Sequence, residues 1–434
     1  MSNDIRKDIT GVVNQYLCHS CGSCFSSCRH DSISFNQTTS GYLFPLIDYN
    51  TCTNCGLCYD VCPGDHFSDI LKDSTPEDPF IGNIISTYVG KSTDENIFKN
   101  SQSGGAVTAF LKYLLDFKLV SKAIVTTMGD EYTPNSLAVA VNSSDELMNA
   151  QKSKYTPTNI VSLLLGLENI EGKIALVGLS CHMHGVENLL KINKKLRNKV
   201  IKIGLICERV MLHSSVEYFS KKTTNLEVKK FLFKDPTNTK YPGDTTVLSE
   251  DGKLHILDRK YRKKMKDFFT PARCMLCFDK MNIYSDVVVG DPHGLAGIDR
   301  EDGESLVITR TELGEKIVME SISSNIVNLR DAPVDIAIKG QGINKKRKKW
   351  HAYYKAWSTM EYDMPDYPKN VLECVEDVSK EDIDKAKKNL EHALYIDKVD
   401  SKDEIFKLAD KFYENKIKKQ SFLKKIGNVF NLKK

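Results

Sequence analysis

Cys18, Cys21, Cys24 and Cys28 are followed 34 residues later by Cys52, Cys55, Cys58 and Cys62, so one Cys-x2-Cys-x2-Cys-x3-Cys spacing is written twice. A [4Fe–4S] cube needs four thiolates converging on its corners. The tight triplet wraps three corners, and where two such runs stand together the fourth cysteine ligates the other cluster. The spacing therefore assigns Cys18, Cys21, Cys24 and Cys62 to one cluster, and Cys52, Cys55, Cys58 and Cys28 to a second. Gly22 and Gly56, each directly after a second cysteine, let the backbone bend so that its amides face the sulfurs. A pair of zinc sites is the alternative, but zinc prefers separated Cys-x2-Cys knuckles to a triplet in one loop. Pro63 follows Cys62, as the full bacterial run asks, whereas Arg29 follows Cys28.

The other cysteines are less regular. Cys274-Met275-Leu276-Cys277 is a single Cys-x2-Cys pair, compatible with zinc, a redox dithiol or half a cluster site. Cys181 and Cys207 follow apolar strands, Ile174–Leu179 and Ile201–Ile206. In an open α/β sheet the C-terminal ends of strands gather at the ligand-binding edge. Two cysteines there plus the pair would make a third four-thiolate site; the bland alternative is buried cysteines acting as small hydrophobes. Cys374 stands alone.

These residues need elements to position them. Residues 1–75 are short and polar apart from the cysteines, which suits an α+β, ferredoxin-like 2[4Fe–4S] domain scaffolded by its metal. Tyr42–Ile47 reads as a strand leading into the second loop, and Asp73–Pro79 as a linker. Residues 80–345 read as a mixed α/β domain. A helix with an apolar stripe at Val107, Phe110, Leu111, Leu114 and Leu115 follows Ser103-Gly104-Gly105. Buried-type strands follow at 173–179, 200–207 and 286–290, and Asp251-Gly252 marks a hairpin. Residues 346–434 form a charged, helical C-terminal extension. The basic run Lys345–Trp350 reads as a solvated helix face or, less commonly, an anion contact. Phe422, Leu423, Ile426, Val429 and Phe430, set among lysines, form an amphipathic stripe. It suits peripheral membrane contact, or docking on the protein's own core or a partner.

The chain has 434 residues, 41% hydrophobic and 27% charged, enough for two or three domains with a sizeable core. Its 61 basic and 57 acidic residues leave no domain-wide basic excess, so no nucleic-acid partner is expected. With no signal peptide and no apolar stretch of about 18 residues, the protein reads as cytoplasmic. Thirteen cysteines in such a chain indicate metal rather than disulfides.

Five motifs then occur in order: Ser101–Thr108 (SQSGGAVT), Val177–Gly185 (VGLSCHMHG), Ile203–Cys207 (IGLIC), Cys274–Asp279 (CMLCFD) and Ser285–Asp291 (SDVVVGD). On these the chain resembles the beta-subunit family of coenzyme F420-reducing hydrogenases and F420H2 dehydrogenases, from the ferredoxin segment to about residue 345. Leu179-Ser180-Cys181 departs from the Leu-Pro-Cys expected there. The resemblance implies an oxidoreductase with an FAD-binding domain that also carries a [4Fe–4S] cluster, on Cys181, Cys207, Cys274 and Cys277. Its partners would be F420 or another hydride carrier, and a ferredoxin or redox subunit. Ser103, Gly104 and Gly105 at a helix start offer amides and a hydroxyl to the FAD pyrophosphate. Thr108, Lys154 and Tyr155 are further flavin candidates, and His182 and His184 candidates for proton supply. The family includes relatives that reduce tetrapyrroles with ferredoxin electrons, so membership does not fix the substrate. A ferredoxin-fed reductase of another organic substrate, or a non-catalytic electron-transfer subunit, are the rival readings.

Overall fold

The computed structural model describes residues 7–65, 67, 78–129, 135–237, 240–299, 301–374 and 377–431, with backbone alone at 420 and 422–431. The 73–79 linker lies outside these residues apart from Asp78 and Pro79. The stripe from Phe422 to Phe430 lies outside the described side chains, on the helix Lys402–Asn431.

Short apolar runs build the centre. Eight strands form one mixed sheet, in spatial order Val327–Asp331, Ser86–Ser92, Ser305–Thr309, Val287–Gly290, Val200–Leu205, Ile174–Gly178, Lys122–Met128 and Ser136–Val141. The four strands from Val287–Gly290 to Lys122–Met128 run parallel, and the other adjacent pairs are antiparallel. Side chains alternate along each strand. Val287 and Val289 pack with Phe110 and Leu114 of the helix Ala106–Asp116 and with Ile317 and Val318 of the helix Glu312–Ser323. Val288 packs on the other face with Phe80, Phe278 and Trp350. Both faces are covered, which is why these strands read as continuous apolar runs. The expected hairpin is the outer pair of a separate antiparallel sheet, Val228–Asp235, Asp244–Ser249 and Leu254–Leu257.

The N-terminal segment contributes the hairpin Ile33–Gln37 with Leu43–Ile47 and the short helices Ser23–Ser27 and Leu57–Asp60. It has too few apolar residues for a core of its own and shares that of the main body. Ile9, Val12, Leu17 and Ile33 pack with Leu276, Trp357 and Leu390, and Val61 packs with Ile160 and Met183. Each such side chain contributes on the order of 1.5–3 kcal/mol when fully buried.

The helix Ile343–Trp357 carries the basic run and crosses the expected 345/346 boundary. The run is not a uniformly solvated face. Lys346 and Trp350 are buried, and Arg347 pairs with Asp78 and lies over the Phe80 ring. Only Lys345 and Lys348 of the run are exposed. Trp350 pulls this face inward, and its Nε1–H donates to Leu276 O at 3.0 Å. No helix among the described residues is long and apolar enough to cross a membrane.

The join between segment and main body is tight at Gly185 of the helix Ser180–Ile192. A Cβ there would overlap Ser23 Oγ and lie 3.4 Å from Cys21 Sγ. Gly185→Ala should therefore lower stability by about 1–3 kcal/mol, as overpacking does, although alanine is the better helix former. Adding Ser23→Ala should restore most of the loss. Thermal unfolding of the three variants checks this; a Gly185→Ala protein as stable as its parent would contradict it.

Candidate iron–sulfur and flavin sites

The sequence repeat is also a backbone repeat. Ser20 and Gly22 adopt φ of 61° and 92°, and Asn54 and Gly56, at the matching positions, 55° and 80°. These left-handed residues turn amides back onto sulfur. Ser20 N–H donates to Cys18 Sγ at 3.3 Å, Asn54 N–H to Cys52 Sγ at 3.4 Å, and Gly64 N–H to Cys62 Sγ at 3.3 Å. Cys18, Cys21, Cys24 and Cys62 are buried; Cys28, Cys52 and Cys58 are half-buried and Cys55 is exposed. Burial pushes the Cys18 thiol up to about 12 and those of Cys24 and Cys62 well above their usual range, and neighbouring thiols of the set add to the effect. Thiols whose burial and mutual repulsion both oppose ionisation become thiolates only against concentrated positive charge, such as iron supplies. Burial also raises Cys58, to about 11.

The structure brings Cys181, Cys207, Cys274 and Cys277 together. Cys181 is not the end of a strand but the second residue of the helix Ser180–Ile192, because the chain turns into helix immediately after Leu179. Cys207 follows the strand Val200–Leu205, and Cys274 sits in the short helix Ala272–Met275. All four line one cavity, partly open to solvent, with Cys18 of the first set among its lining residues. Burial raises each of the four thiols, and for Cys181 the next contributions come from Cys207, Cys277 and Cys21. Among the described residues no three His, Cys, Asp or Glu side chains converge on a single-ion position. Cys374 lies apart, beside Arg347 and Asp78.

One residue beside this cavity escaped the sequence reading. Arg273, 1% exposed, donates from Nε to Leu17 O at 3.0 Å and from Nη2 to Pro63 O and Gly64 O at 3.2 and 2.8 Å. It thus ties the Cys18 and Cys62 arms to the residue before Cys274; that adjacency was the one available signal. Buried His184 meets Asp279 at 3.1 Å. His182 caps the helix Ser180–Ile192: its Nδ1 accepts the Leu179 N–H at 3.1 Å, and burial lowers its pKa to about 4.

The flavin candidates share the same sheet edge. Gly104 O accepts the N–H of Ser92, the last residue of its strand, and Gly105 caps the helix Ala106–Asp116 with φ of 75°. A Cβ on Gly105 would meet Ile97 at 3.1 Å, so the absence of a side chain serves the turn and its packing. Ser103 and Thr108 are half-buried beside it, and Gln102 Oε1 is buried without a partner. Lys154 is turned inward: it donates to Ala150 O and Gln151 O at 2.5 and 2.7 Å, and burial pushes its pKa down to about 7. The Tyr155 ring is surrounded by cations, with Lys234, Arg262 and Lys266 at 5.5, 5.6 and 5.3 Å from its centre. Arg262 is 1% exposed, and none of its three guanidinium nitrogens makes a well-aligned hydrogen bond; the Tyr155 hydroxyl and Asp244 are its electrostatic counterweights. Nothing in the sequence pattern set Arg262 apart from its basic neighbours. A buried arginine beside two lysines concentrates positive charge around Tyr155.

Comparison with known proteins gives this geometry a family. Residues 87–165 and 171–334 match the N-terminal and C-terminal parts of the "Coenzyme F420 hydrogenase/dehydrogenase, beta subunit" family, and residues 17–65 match a "4Fe-4S dicluster domain". The chain is 24% identical over 279 residues to the coenzyme F420 hydrogenase subunit beta of Methanosarcina barkeri, covering 63% of this chain and 90% of that protein. It is 26% identical over 275 residues to the coenzyme F420 hydrogenase subunit beta of Methanothermobacter thermautotrophicus, covering 61% and 91%. With the coenzyme F420-dependent sulfite reductase of Methanocaldococcus jannaschii it shares 30% over 298 residues, 63% of this chain but 43% of that protein. A chain of the F420-reducing [NiFe] hydrogenase complex from Methanosarcina barkeri has the same fold, with a TM-score of 0.54 and 21% identity over 67% of this chain and 99% of that one. The N-terminal segment is a 4Fe–4S dicluster domain on a mixed α/β body, and the chain belongs to the coenzyme F420 hydrogenase/dehydrogenase beta-subunit family.

Proposed function

We propose that this chain is an iron–sulfur flavoprotein oxidoreductase. It would link one-electron transfer through three four-thiolate sites to hydride exchange, at FAD, with coenzyme F420 or an analogous carrier. The observation that carries this reading is the shared cavity, which has Cys181, Cys207, Cys274, Cys277 and Cys18 among its lining residues. Bound FAD would supply the change between one- and two-electron chemistry.

The chain's own residues order the route. Cys52, Cys55, Cys58 and Cys28 form the outer set, with Cys55 exposed toward a ferredoxin or a redox subunit. Cys18, Cys21, Cys24 and Cys62 form the buried middle set, and its Cys24 lies within electrostatic reach of Cys58. The third set is the inner one, on the same sheet edge as Ser103 and Tyr155. Arg262, Lys234 and Lys266 hold the anionic part of the flavin, and the turn at Gly104 and Gly105 fixes the helix start beside it. That the similar proteins are named for F420 supports this carrier. The exposed outer set also fits a subunit that wires a partner enzyme without its own hydride chemistry, and flavin content separates the two readings.

Anaerobically purified protein should hold about twelve irons with matching sulfide, and Cys277→Ser about eight, since a lost corner unseats a cube. Cys374→Ser should change nothing. Equal iron in Cys277→Ser and parent would leave the third set without a cluster. The protein should also carry one FAD per chain. Arg262→Met should weaken flavin binding by roughly 10- to 100-fold, the size of a lost charged hydrogen bond, with the iron of the dicluster segment retained. Cofactor extraction and flavin titration read this, and full flavin retention would place the pyrophosphate elsewhere.

A further inference from the structure

Lys346 is 7% exposed, on the inward face of the helix Ile343–Trp357. It lines a small cavity with Cys274, Glu208, Arg209 and Lys349. Among the described residues it forms no ion pair, whereas Arg209, Lys280 and Lys349 approach Glu208 at 3.6, 3.7 and 3.8 Å. Asp267 takes Arg209 at 2.6 Å, so Glu208 is shared between Lys280 and Lys349, with the Lys346 charge acting on it from beyond ion-pair distance. A buried ammonium costs several kcal/mol unless a negative charge offsets it. Cys274 lines the same cavity, and the Lys346 charge acts on the thiols of Cys207, Cys274 and Cys277. A cube held by four thiolates is net negative and becomes more so when it takes up one electron without a proton.

We propose that Lys346 is the built-in counter-ion of the third four-thiolate site, and that its fixed charge raises the reduction potential there. The inference rests on the third cluster proposed above. Electrostatically, a fixed positive charge in a poorly solvated surround favours the state with the extra electron. The source of that electron is the cluster of the first set, across the cavity they share. No bond forms or breaks. With the clusters bound, this charge would favour an electron from the middle set coming to rest at the inner one. Lys346 is a positioning residue of charge and touches no reacting atom.

The test is a redox titration followed by low-temperature electron paramagnetic resonance on the anaerobic full-length protein, comparing parent, Lys346→Met and Lys346→Arg. Lys346→Met should lower the third cluster's midpoint and leave the other two in place. A tenfold change in the oxidised-to-reduced ratio, about 59 mV for one electron, is the expected size. Lys346→Arg should stay at the parental midpoint. An unchanged midpoint in Lys346→Met, with the third cluster present, overturns the inference and leaves the cluster assignment standing. About eight irons in the parent overturns both, and iron analysis tells these failures apart. If Lys346→Met loses the third cluster, Lys346→Gln and Lys346→Arg decide: loss in Gln with retention in Arg supports a counter-ion, and loss in both shows packing alone.

Discussion

The guanidinium of Arg273 holds the molecule together at the one place where its two parts must not move apart. It is buried and donates from Nε and Nη2 to carbonyls of residues 17, 63 and 64, on both arms of the N-terminal segment. Its own backbone leads directly into Cys274. Removing it would leave those buried carbonyls without donors, at about 1–3 kcal/mol each. The distance between the first and third thiol sets is therefore fixed by a side chain rather than by a flexible linker.

The apolar packing follows the same constraint. A segment of about sixty residues rich in cysteine, serine and asparagine buries too little surface to stand alone. Its few aliphatic residues instead complete the cores of the larger body, and backbone bonds such as Val161 N–H to Cys21 O, at 3.0 Å, stitch the two together. On the proposed reading iron ligation and tertiary packing would reinforce each other, because the helix Ser180–Ile192 that carries Cys181 also packs against Ser23 through Gly185. The arrangement has a functional logic. One-electron transfer between neighbouring sites needs short, fixed separations, and a rigid join supplies them without a docking step.

Much of this is legible in the sequence, and the limits are physical. Cysteine spacing is a local property, so the twofold repeat and its left-handed glycines can be read directly. Strands buried on both faces announce themselves as apolar runs, and the strands at 174–178, 200–205 and 287–290 are found that way. The gathering of Cys181, Cys207 and the Cys274 pair is only one of several options in the sequence, since it depends on which strands are neighbours. Charge is harder to read. A run such as Lys345–Trp350 looks like a solvated face, and only the sheet packed beneath Trp350 shows that Lys346 points inward. Arg262 and Arg273 are invisible for the same reason: what matters about each is the absence or presence of partners distant in sequence.

The central claim is that three four-thiolate sites lie in contact along one route, the first and third sharing a cavity. Electron paramagnetic resonance of the fully reduced, anaerobic protein tests it most directly. The account expects three spins per chain, with broadened or split signals because neighbouring clusters interact, and one component of that interaction removed in Cys277→Ser. Two spins in the parent, or a third signal as sharp as that of an isolated cluster, would contradict it.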